Sequence, residues 1–247
     1  MATINFTNNA DYVNQYNYGS GVHTYNLLKG EDSFSGSYVR AIVYGGDGAD
    51  YIYGGSANDT LYGNLGSDYI SGNSGTDTVY GGDGNDTLDM ADDGFDVIYA
   101  GNGNDRIYAD GDRIEAGAGN DQVGLTFYGG ERADVNLGPL GSDQLTLDIH
   151  EHDWSGYNSS RVDVWGFTAS DKLEFNSAHN DYEWLDHGQT LDRLDVNNDG
   201  WLGAKDVEAF DYDGVTVHVG QNFLELDVFD TSVVLHGMTK ASFDFLA

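Results

Sequence analysis

The chain has 247 residues, including 35 glycines, one proline and no cysteine. Its 42 acidic and 10 basic residues give a formal net charge of −32, which excludes the basic patches that nucleic acids and anionic membranes require of a partner. The lack of cysteine excludes disulfides and zinc–thiolate sites.

Acidic, glycine-rich composition is typical of disordered chains, but aromatic richness is not. The 17 tyrosines and 11 phenylalanines therefore indicate a folded protein. Because a compact state with this charge repels itself, we expect metal cations to neutralise the acids when the chain folds.

The N-terminal residues, MATINFTNNADYVN, contain neither a basic region nor an apolar run, so they do not resemble an ordinary signal peptide. No stretch approaches the roughly 20 apolar residues that span a bilayer, so we expect no transmembrane segment. Taken alone, these features favour a cytoplasmic protein.

A nine-residue period runs through the centre of the chain. Five units cover residues 45–89: GGDGADYIY, GGSANDTLY, GNLGSDYIS, GNSGTDTVY and GGDGNDTLD. Each has aspartate at its sixth position and an aliphatic residue at its eighth. The register slips by one residue after Met90, and later units occupy residues 91–99, 100–108, 109–115 (shortened) and 116–124. Upstream, counting back in steps of nine from the eighth position of the first unit predicts inward-facing side chains at Val43, Phe34 and Tyr25. These turns lack the Gly/Asp loop, and we interpret them as apolar caps of the array.

Over residues 45–124 this pattern resembles the RTX family, whose calcium-binding nonapeptide is G-G-x-G-x-D-x-U-x. The resemblance implies an all-β fold, a right-handed parallel β-roll in which two units make one turn and the aliphatic residue of each short strand points inward. It also implies several bound Ca²⁺ ions, each taking six to eight oxygens at about 2.3–2.6 Å.

The resemblance assigns the calcium ligands to sixth-position acids, with main-chain carbonyls of the loops completing the shells. The acids are Asp50, Asp59, Asp68, Asp77, Asp86, Asp96, Asp105 and Asp121. The loop positions are Gly45, Asp47, Gly54, Gly63, Gly72 and Gly81. Asn64 and Asn73 replace the second glycine in two units, and asparagine tolerates positive φ. The shortened unit departs from the pattern at Asp112.

Two other interpretations of the repeat are less favourable. Glycine-rich loops also cradle phosphates, but those loops need a lysine or arginine, and an acid occupies each loop here. Asp-Gly and Asn-Gly pairs also form antiparallel hairpins, but a strict nine-residue period leaves no room for paired arms.

Tyrosine often occupies the ninth position, at residues Tyr44, Tyr53, Tyr62, Tyr80, Tyr99 and Tyr108. An outward ladder of aromatic rings suits binding of extracellular polysaccharide or self-assembly. It equally suits ordinary packing between neighbouring strands. The sequence leaves both interpretations open.

We divide the chain into an N-terminal cap of the roll (1–44), the RTX β-roll (45–137) and a β-rich C-terminal flanking domain (138–247). The predicted strands of the last part are Leu145–Ile149, Val162–Phe167, Val215–Val219 and Phe223–Phe229. VWGFTASDKLEF, at residues 164–175, resembles the strand–turn–strand that follows RTX arrays.

The flanking domain contains DVNNDGWLGAKD at 195–206, which resembles an EF-hand-like or dockerin-type calcium loop within a short helix–loop–helix. Asp195, Asn197 and Asp199 would offer side-chain oxygens and Trp201 its carbonyl, with Asp206 at the twelfth position. The alternative is an Asp-Gly turn between helices.

Sequence signatures of catalysis are lacking. HEHD, at 150–153, offers two histidines for zinc, but its spacing implies no third ligand, so we favour exposed polar residues there. Neither G-x-S-x-G nor H-E-x-x-H occurs, and we expect no enzymatic activity.

The C-terminal residues LHGMTKASFDFLA, 235–247, resemble the tail of type I secretion substrates. This changes the predicted location: we expect an extracellular protein that a type I secretion exporter releases without an N-terminal signal peptide. The expected function is a structural, adhesive or surface component that folds on binding calcium outside the cell. The alternatives are a polysaccharide-binding module or the secretion and folding portion of an RTX exoenzyme.

Overall fold

The computed structural model describes residues 2–91, 94–127, 130–149, 160–167, 171–177, 189–190, 215–219, 223–228 and 231–237. Their regular structure is strand, apart from one 3-10 helix at Gln15–Tyr18. The strands in chain order are β1 (Ala2–Asn5), β2 (Tyr12–Asn14), β3 (His23–Lys29), β4 (Ser33–Ser37), β5 (Ala41–Asp47), β6 (Tyr51–Gly55), β7 (Thr60–Leu65), β8 (Tyr69–Asn73), β9 (Thr78–Asp83), β10 (Thr87–Asp89), β11 (Val97–Asn102), β12 (Arg106–Ala109), β13 (Arg113–Ala118), β14 (Gln122–Phe127), β15 (Arg132–Asn136), β16 (Gln144–Ile149), β17 (Ser160–Trp165), β18 (Lys172–Ser177), β19 (Gln189–Thr190), β20 (Val215–Val219), β21 (Phe223–Val228) and β22 (Thr231–His236).

Each nine-residue unit forms one strand, and successive strands alternate between two sheets. In β7, Leu61 is buried while Thr60 and Tyr62 on either side are half-buried, as the period of two in a strand requires. Leu61 pairs in parallel with Val43 of β5 and with Val79 of β9, each two units away. The prediction that two units make one turn of a parallel roll is therefore confirmed.

The two sheets contain 12 and 10 strands. Pairing is parallel from β1 through β17 in the larger sheet and from β2 through β18 in the smaller. It continues across residue 137 with the register of the repeats, because β14, β16 and β18 pair with one another as the array strands do. Antiparallel pairs occur only at the far ends of the described sheets, where β19 joins β18 and β20–β22 join one another.

The core consists of inward-facing side chains stacked in two files, one for each sheet. All are at most 1% exposed. The file of the larger sheet includes Tyr25, Val43, Leu61, Val79, Ile98, Ile114, Val135, Val164 and Leu235, and that of the smaller sheet includes Val13, Phe34, Ile52, Ile70, Leu88, Ile107, Val123, Leu145 and Leu173. The inward positions predicted upstream of the repeats, Tyr25, Phe34 and Val43, are thus confirmed.

A buried aspartate holds the last strands of the larger sheet together. Asp163 accepts two hydrogen bonds from Arg161 at 2.8 Å, one from Arg132 at 3.1 Å, and lies 2.8 Å from His236 Nε2. Burial raises the pKa of Asp163, but these partners outweigh it and hold the pKa well below its usual range. Trp165 stacks on His236 with ring centroids 4.5 Å apart, which further couples β17 to β22.

The described part of the chain holds no helix with the length and apolar character of a membrane span. The proposed EF-hand-like helices belong to residues 190–210, of which all but Thr190 lie outside the described residues.

The turns between sheets stack so closely that some positions accept only glycine. Gly84 has a φ of 141°, and a Cβ there would overlap the carbonyl oxygen of Gly66, one turn earlier. Both the backbone conformation and the space therefore exclude a side chain.

We predict that Gly84→Ala lowers the free energy of unfolding by about 2 kcal/mol or more, since it combines a strained φ with a backbone overlap. Gly124→Ala is the matched control, because its Cβ would meet nothing closer than Tyr108 Cδ1 at 3.6 Å. Urea unfolding in calcium would measure both variants. Equal stability of the two would show that the turns do not stack as described.

Candidate metal centre

The turns of the roll form two edges with different aspartate contents. Turns from the larger to the smaller sheet lie along what we call the long edge, and return turns lie along the short edge. The long-edge aspartates are Asp11, Asp32, Asp50, Asp68, Asp86, Asp105, Asp121, Asp143 and Asp171. The short-edge aspartates are Asp59, Asp77, Asp96 and Asp112.

Each of these carboxylates except that of Asp11 accepts a hydrogen bond from the turn before it. Oδ1 of Asp68 accepts the main-chain N–H of Asp50 at 2.8 Å, and Oδ1 of Asp86 accepts that of Asp68 at 2.8 Å. The same bond recurs along the long edge from the N–H of Asp11 to Oδ1 of Asp171. This aspartate ladder orients every carboxylate in the same way.

A second ladder of hydrogen bonds runs in the opposite direction along the long edge, with side-chain acceptors at the fifth position of four units. Asn85 Oδ1 accepts the N–H of Asn104 at 2.7 Å, and Asn104 Oδ1 accepts that of Asn120 at 2.8 Å. Ser67 Oγ and Asn120 Oδ1 extend the series at its two ends. The turns are therefore hydrogen-bonded to their neighbours in both directions.

The other carboxylate oxygen, Oδ2, is buried without a hydrogen bond in seven of these residues. Each of the seven is at most 2% exposed: Asp32, Asp50, Asp59, Asp68, Asp86, Asp105 and Asp121. A buried carboxylate oxygen without a partner is strongly unfavourable unless a proton or a cation compensates it. The folded chain thus requires a proton or a cation at each of these oxygens.

Glycine leaves space for such a ligand beside main-chain oxygens. A Cβ on Gly81 would lie 2.5 Å from both Asp86 Oδ2 and the carbonyl oxygen of Ala100 in the next turn. A Cβ on Gly54 would lie 2.8 Å from Asp59 Oδ2 and 2.7 Å from the carbonyl oxygen of Gly72. Each gap is lined by hard oxygen atoms, the donors that Ca²⁺ prefers.

Main-chain oxygens are essential to this donor set. Among the described residues, no group of three or more His, Cys, Asp or Glu side chains could hold a metal ion by itself. One carboxylate from each turn, together with carbonyls of its own and the neighbouring turn, fits a cation with many oxygen ligands.

Burial changes the acidity of these groups. It raises the pKa of Asp50, Asp68, Asp86, Asp105 and Asp121 to about 6, although the N–H donated by the preceding aspartate lowers it. Burial likewise raises the pKa of Asp59 to about 7. At neutral pH these five long-edge carboxylates are therefore mostly ionised, and each can bind a cation where a proton would sit in acidic solution.

The short edge departs from this pattern at two turns. Met90, the residue at which the register slips, is fully buried, and a Cβ on Gly72 would lie 2.9 Å from its Sδ instead of meeting a carbonyl oxygen. A thioether is a soft donor and a poor ligand for calcium. In the shortened unit, Asp112 Oδ1 accepts the N–H of Asp96 and its Oδ2 that of Asp110, at 2.6 and 3.3 Å. The short edge thus has fewer oxygen-lined gaps.

The structure brings together the predicted sixth-position acids and loop glycines, but places Asp47 differently. Its side chain is about half exposed and pairs with Lys29 at the surface. Asn64 and Asn73 adopt φ of 76° and 57°, the region expected at their positions. The calcium loop residues Asp195, Asn197, Asp199, Trp201 and Asp206 lie outside the described residues, as do residues 150–153 and 238–247.

Sequence reasoning missed the ends of the long edge. Asp32 and Asp143 are buried members of the aspartate ladder, and Asp11 and Asp171 complete it. A signal for Asp32 was present, because Gly30 and Asp32 precede Gly48 and Asp50 by one double unit. The leucines Leu27 and Leu28, in place of the first two glycines, concealed it.

Four ninth-position tyrosines stack on the outer face of the larger sheet. Tyr44, Tyr62, Tyr80 and Tyr99 are nearly parallel, with successive ring centroids 4.6, 4.6 and 4.9 Å apart. Since each ring covers the face of its neighbour, the faces that a sugar would stack on are largely occupied. This geometry favours packing between strands over sugar binding.

We predict that the metal-free roll loses stability as pH rises. In the folded chain the pKa of Asp50 is about 6, above the ordinary value of 3.8. Protonation of this carboxylate therefore stabilises the folded state fully below pH 3.8, and this contribution is lost as pH rises through 6. In chelator, far-UV circular dichroism should show a smaller folded fraction at pH 8 than at pH 5, and saturating calcium should remove this difference. Equal stability at both pH values in chelator would contradict the buried, unpartnered carboxylates.

Comparison with known proteins finds a family model that matches the repeats. The model of the RTX calcium-binding nonapeptide repeat matches residues 42–61, 53–88, 90–113 and 108–123. Among solved structures, extracellular lipase LipA from Serratia marcescens is similar at 18% identity and a TM-score of 0.24, over 81% of this chain. The chain spans 38% of the length of the lipase chain. No curated protein matches the chain.

The matched segments contain the turns with buried aspartates, unpartnered Oδ2 atoms and glycine-lined gaps described above. The implied metal is calcium, and the oxygen donors fit it. Residues 42–88 and 90–123 therefore match the RTX calcium-binding nonapeptide repeat, and they form part of a parallel β-roll.

Proposed function

We propose that this chain is a secreted calcium-binding protein whose roll folds as several Ca²⁺ ions bind outside the cell. The folded roll then serves as an extracellular structural, adhesive or surface component, with a binding role and no catalysis. The observation that carries the proposal is the row of buried carboxylate oxygens that no hydrogen bond satisfies.

Charge makes folding depend on the ligand. The chain has a net charge of −32, and the folded roll buries carboxylates one turn apart along its long edge. Bound calcium supplies the positive charge that these oxygens lack. Because the gaps exist only in the folded roll, each occupied gap stabilises the folded state by mass action.

The aspartate ladder also accounts for cooperative folding. Asp68 uses Oδ1 to hold the N–H of Asp50, while its Oδ2 faces its own gap. Fixing the Asp68 carboxylate therefore orders the preceding turn as well. Cytosolic calcium is scarce, so the same dependence would keep the chain unfolded before export.

We predict that chelation converts the β-rich chain into a largely unfolded one, and that millimolar calcium restores it, within the range that extracellular calcium sites cover. Far-UV circular dichroism would follow the change. Magnesium at equal concentration is the control and should not substitute, because it prefers a small octahedral shell and retains its waters. An unchanged β spectrum after thorough chelation would refute calcium-coupled folding.

We further predict that Asp68→Asn raises the calcium midpoint of folding by roughly tenfold, since ligand charge sets the affinity of such sites. Asparagine retains one oxygen for the N–H of Asp50 but presents an amide nitrogen where Oδ2 was. Asp112→Asn should have a smaller effect, because both oxygens of Asp112 already accept hydrogen bonds.

The control for net charge is Asp83→Asn, on an exposed residue that accepts a hydrogen bond from Asn102. It should leave the calcium midpoint nearly unchanged. If Asp68→Asn and Asp83→Asn have equal effects, overall charge, rather than ligation at the long edge, controls folding.

A further inference from the structure

The turn at residues 27–32, with sequence LLKGED, precedes the segment that matches the RTX repeat. It nevertheless has the hydrogen-bonding pattern of the repeat turns. Leu28 and Lys29 pair with Gly46 and Asp47 of the next turn. Gly30 N–H donates to Asp47 O at 2.8 Å, as Gly48 N–H donates to Leu65 O at 2.8 Å.

Asp32 has the same environment as the aspartates of the repeats. It is 1% exposed, its Oδ1 accepts the N–H of Asp11 at 2.6 Å, and its own N–H donates to Asp50 Oδ1 at 2.8 Å. Its Oδ2 is buried with no hydrogen bond. The turn therefore presents an unpartnered carboxylate oxygen in the orientation found at Asp50.

The leucines do not prevent this arrangement. Leu28 adopts a φ of 80°, where Gly46 has 120° and Asn64 has 76°. A branched side chain at positive φ is costly, and it persists where the surrounding structure dictates the backbone conformation. The main chain thus keeps the shape of a repeat turn without the second glycine.

Leu27 occupies the position of Gly45, where glycine leaves space beside the carboxylate. A side chain there is compatible with the unpartnered oxygen, because Ala100 and Ala116 occupy the same position in two repeat turns. Asp105 and Asp121 of those turns retain a buried Oδ2 without a hydrogen bond. A buried side chain in place of the first glycine is therefore common to the Asp32 turn and two repeat turns.

From these observations we infer that Asp32 forms an additional calcium site on the long edge, outside the matched repeats. Asp32 Oδ2 and main-chain oxygens of its own and the following turn would hold the ion. Lys29 pairs with Asp47 at the surface, which directs that positive charge away from the carboxylate. The inference rests on the proposed function, since it assumes that the long-edge turns bind calcium.

The site would connect the N-terminal segment to the calcium-dependent part of the roll. Asp32 accepts from Asp11 and donates to Asp50, so it lies between the first turn and the repeats. Binding there would extend calcium-dependent order to residues upstream of the repeats.

The test counts the calcium ions bound by a variant and by the unaltered protein, and locates them in a crystal structure of the unaltered protein. Equilibrium dialysis of folded protein at saturating calcium should show one ion fewer per chain in Asp32→Asn than in the unaltered protein. Glu31→Gln is the matched control, since it removes the same charge from the adjacent exposed residue and should lose no ion. Circular dichroism would establish that each variant is folded.

If Asp32→Asn does not fold, a crystal structure of the unaltered protein with calcium decides the question, through an anomalous peak beside Asp32 Oδ2. Peaks along Asp50 to Asp121 with none at Asp32, or unchanged stoichiometry in folded Asp32→Asn, would overturn this inference alone. Absence of calcium from every long-edge turn would overturn the proposed function itself.

Discussion

The hydrogen bond from a main-chain N–H to the Oδ1 atom of the aspartate one turn later is the interaction on which the roll depends. It satisfies an N–H in a tight turn, outside the ladder of main-chain hydrogen bonds between strands, and it fixes the carboxylate so that Oδ2 points into the interior of the edge. The same bond that stabilises the backbone therefore creates the buried charge. The buried charge and the backbone order are two consequences of one contact.

The two edges use this contact to different extents. On the long edge the ladder runs unbroken from Asp11 to Asp171, whereas on the short edge it joins only Ala41 to Asp112 among the described residues. The register slip at Met90 places a thioether where a carbonyl would be, and the shortened unit supplies its own N–H to Asp112. Both changes fall on the same side of the roll, so oxygen-lined gaps are concentrated on the other side.

The sequence predicted the features that depend on the repeated side-chain pattern. It did not predict those that depend on main-chain hydrogen bonds and main-chain conformation. The inward positions, the parallel pairing two units apart and the sixth-position acids follow from a nine-residue period, because side-chain direction in a strand is fixed by position. The fifth-position ladder escaped notice, since asparagine and serine at residues 67, 85, 104 and 120 look like variable loop residues until their N–H partners are known. The Asp32 turn was not predicted because Leu28 adopts a positive φ, a conformation that sequence patterns associate with glycine.

A proton and a calcium ion compete for the same oxygen in this architecture. The pKa of about 6 at Asp68 means that a proton compensates the buried carboxylate in mildly acidic solution but not at pH 8. Above that pH the folded state retains an uncompensated charge at the long-edge turns from Asp50 to Asp121 unless a cation binds, and the net charge of −32 adds repulsion that favours the extended chain. Glycine-rich turns make the unfolded chain still more favourable, because glycine loses the most conformational freedom on folding. The features that make the sequence look disordered are thus the ones on which the proposed dependence of folding on calcium rests.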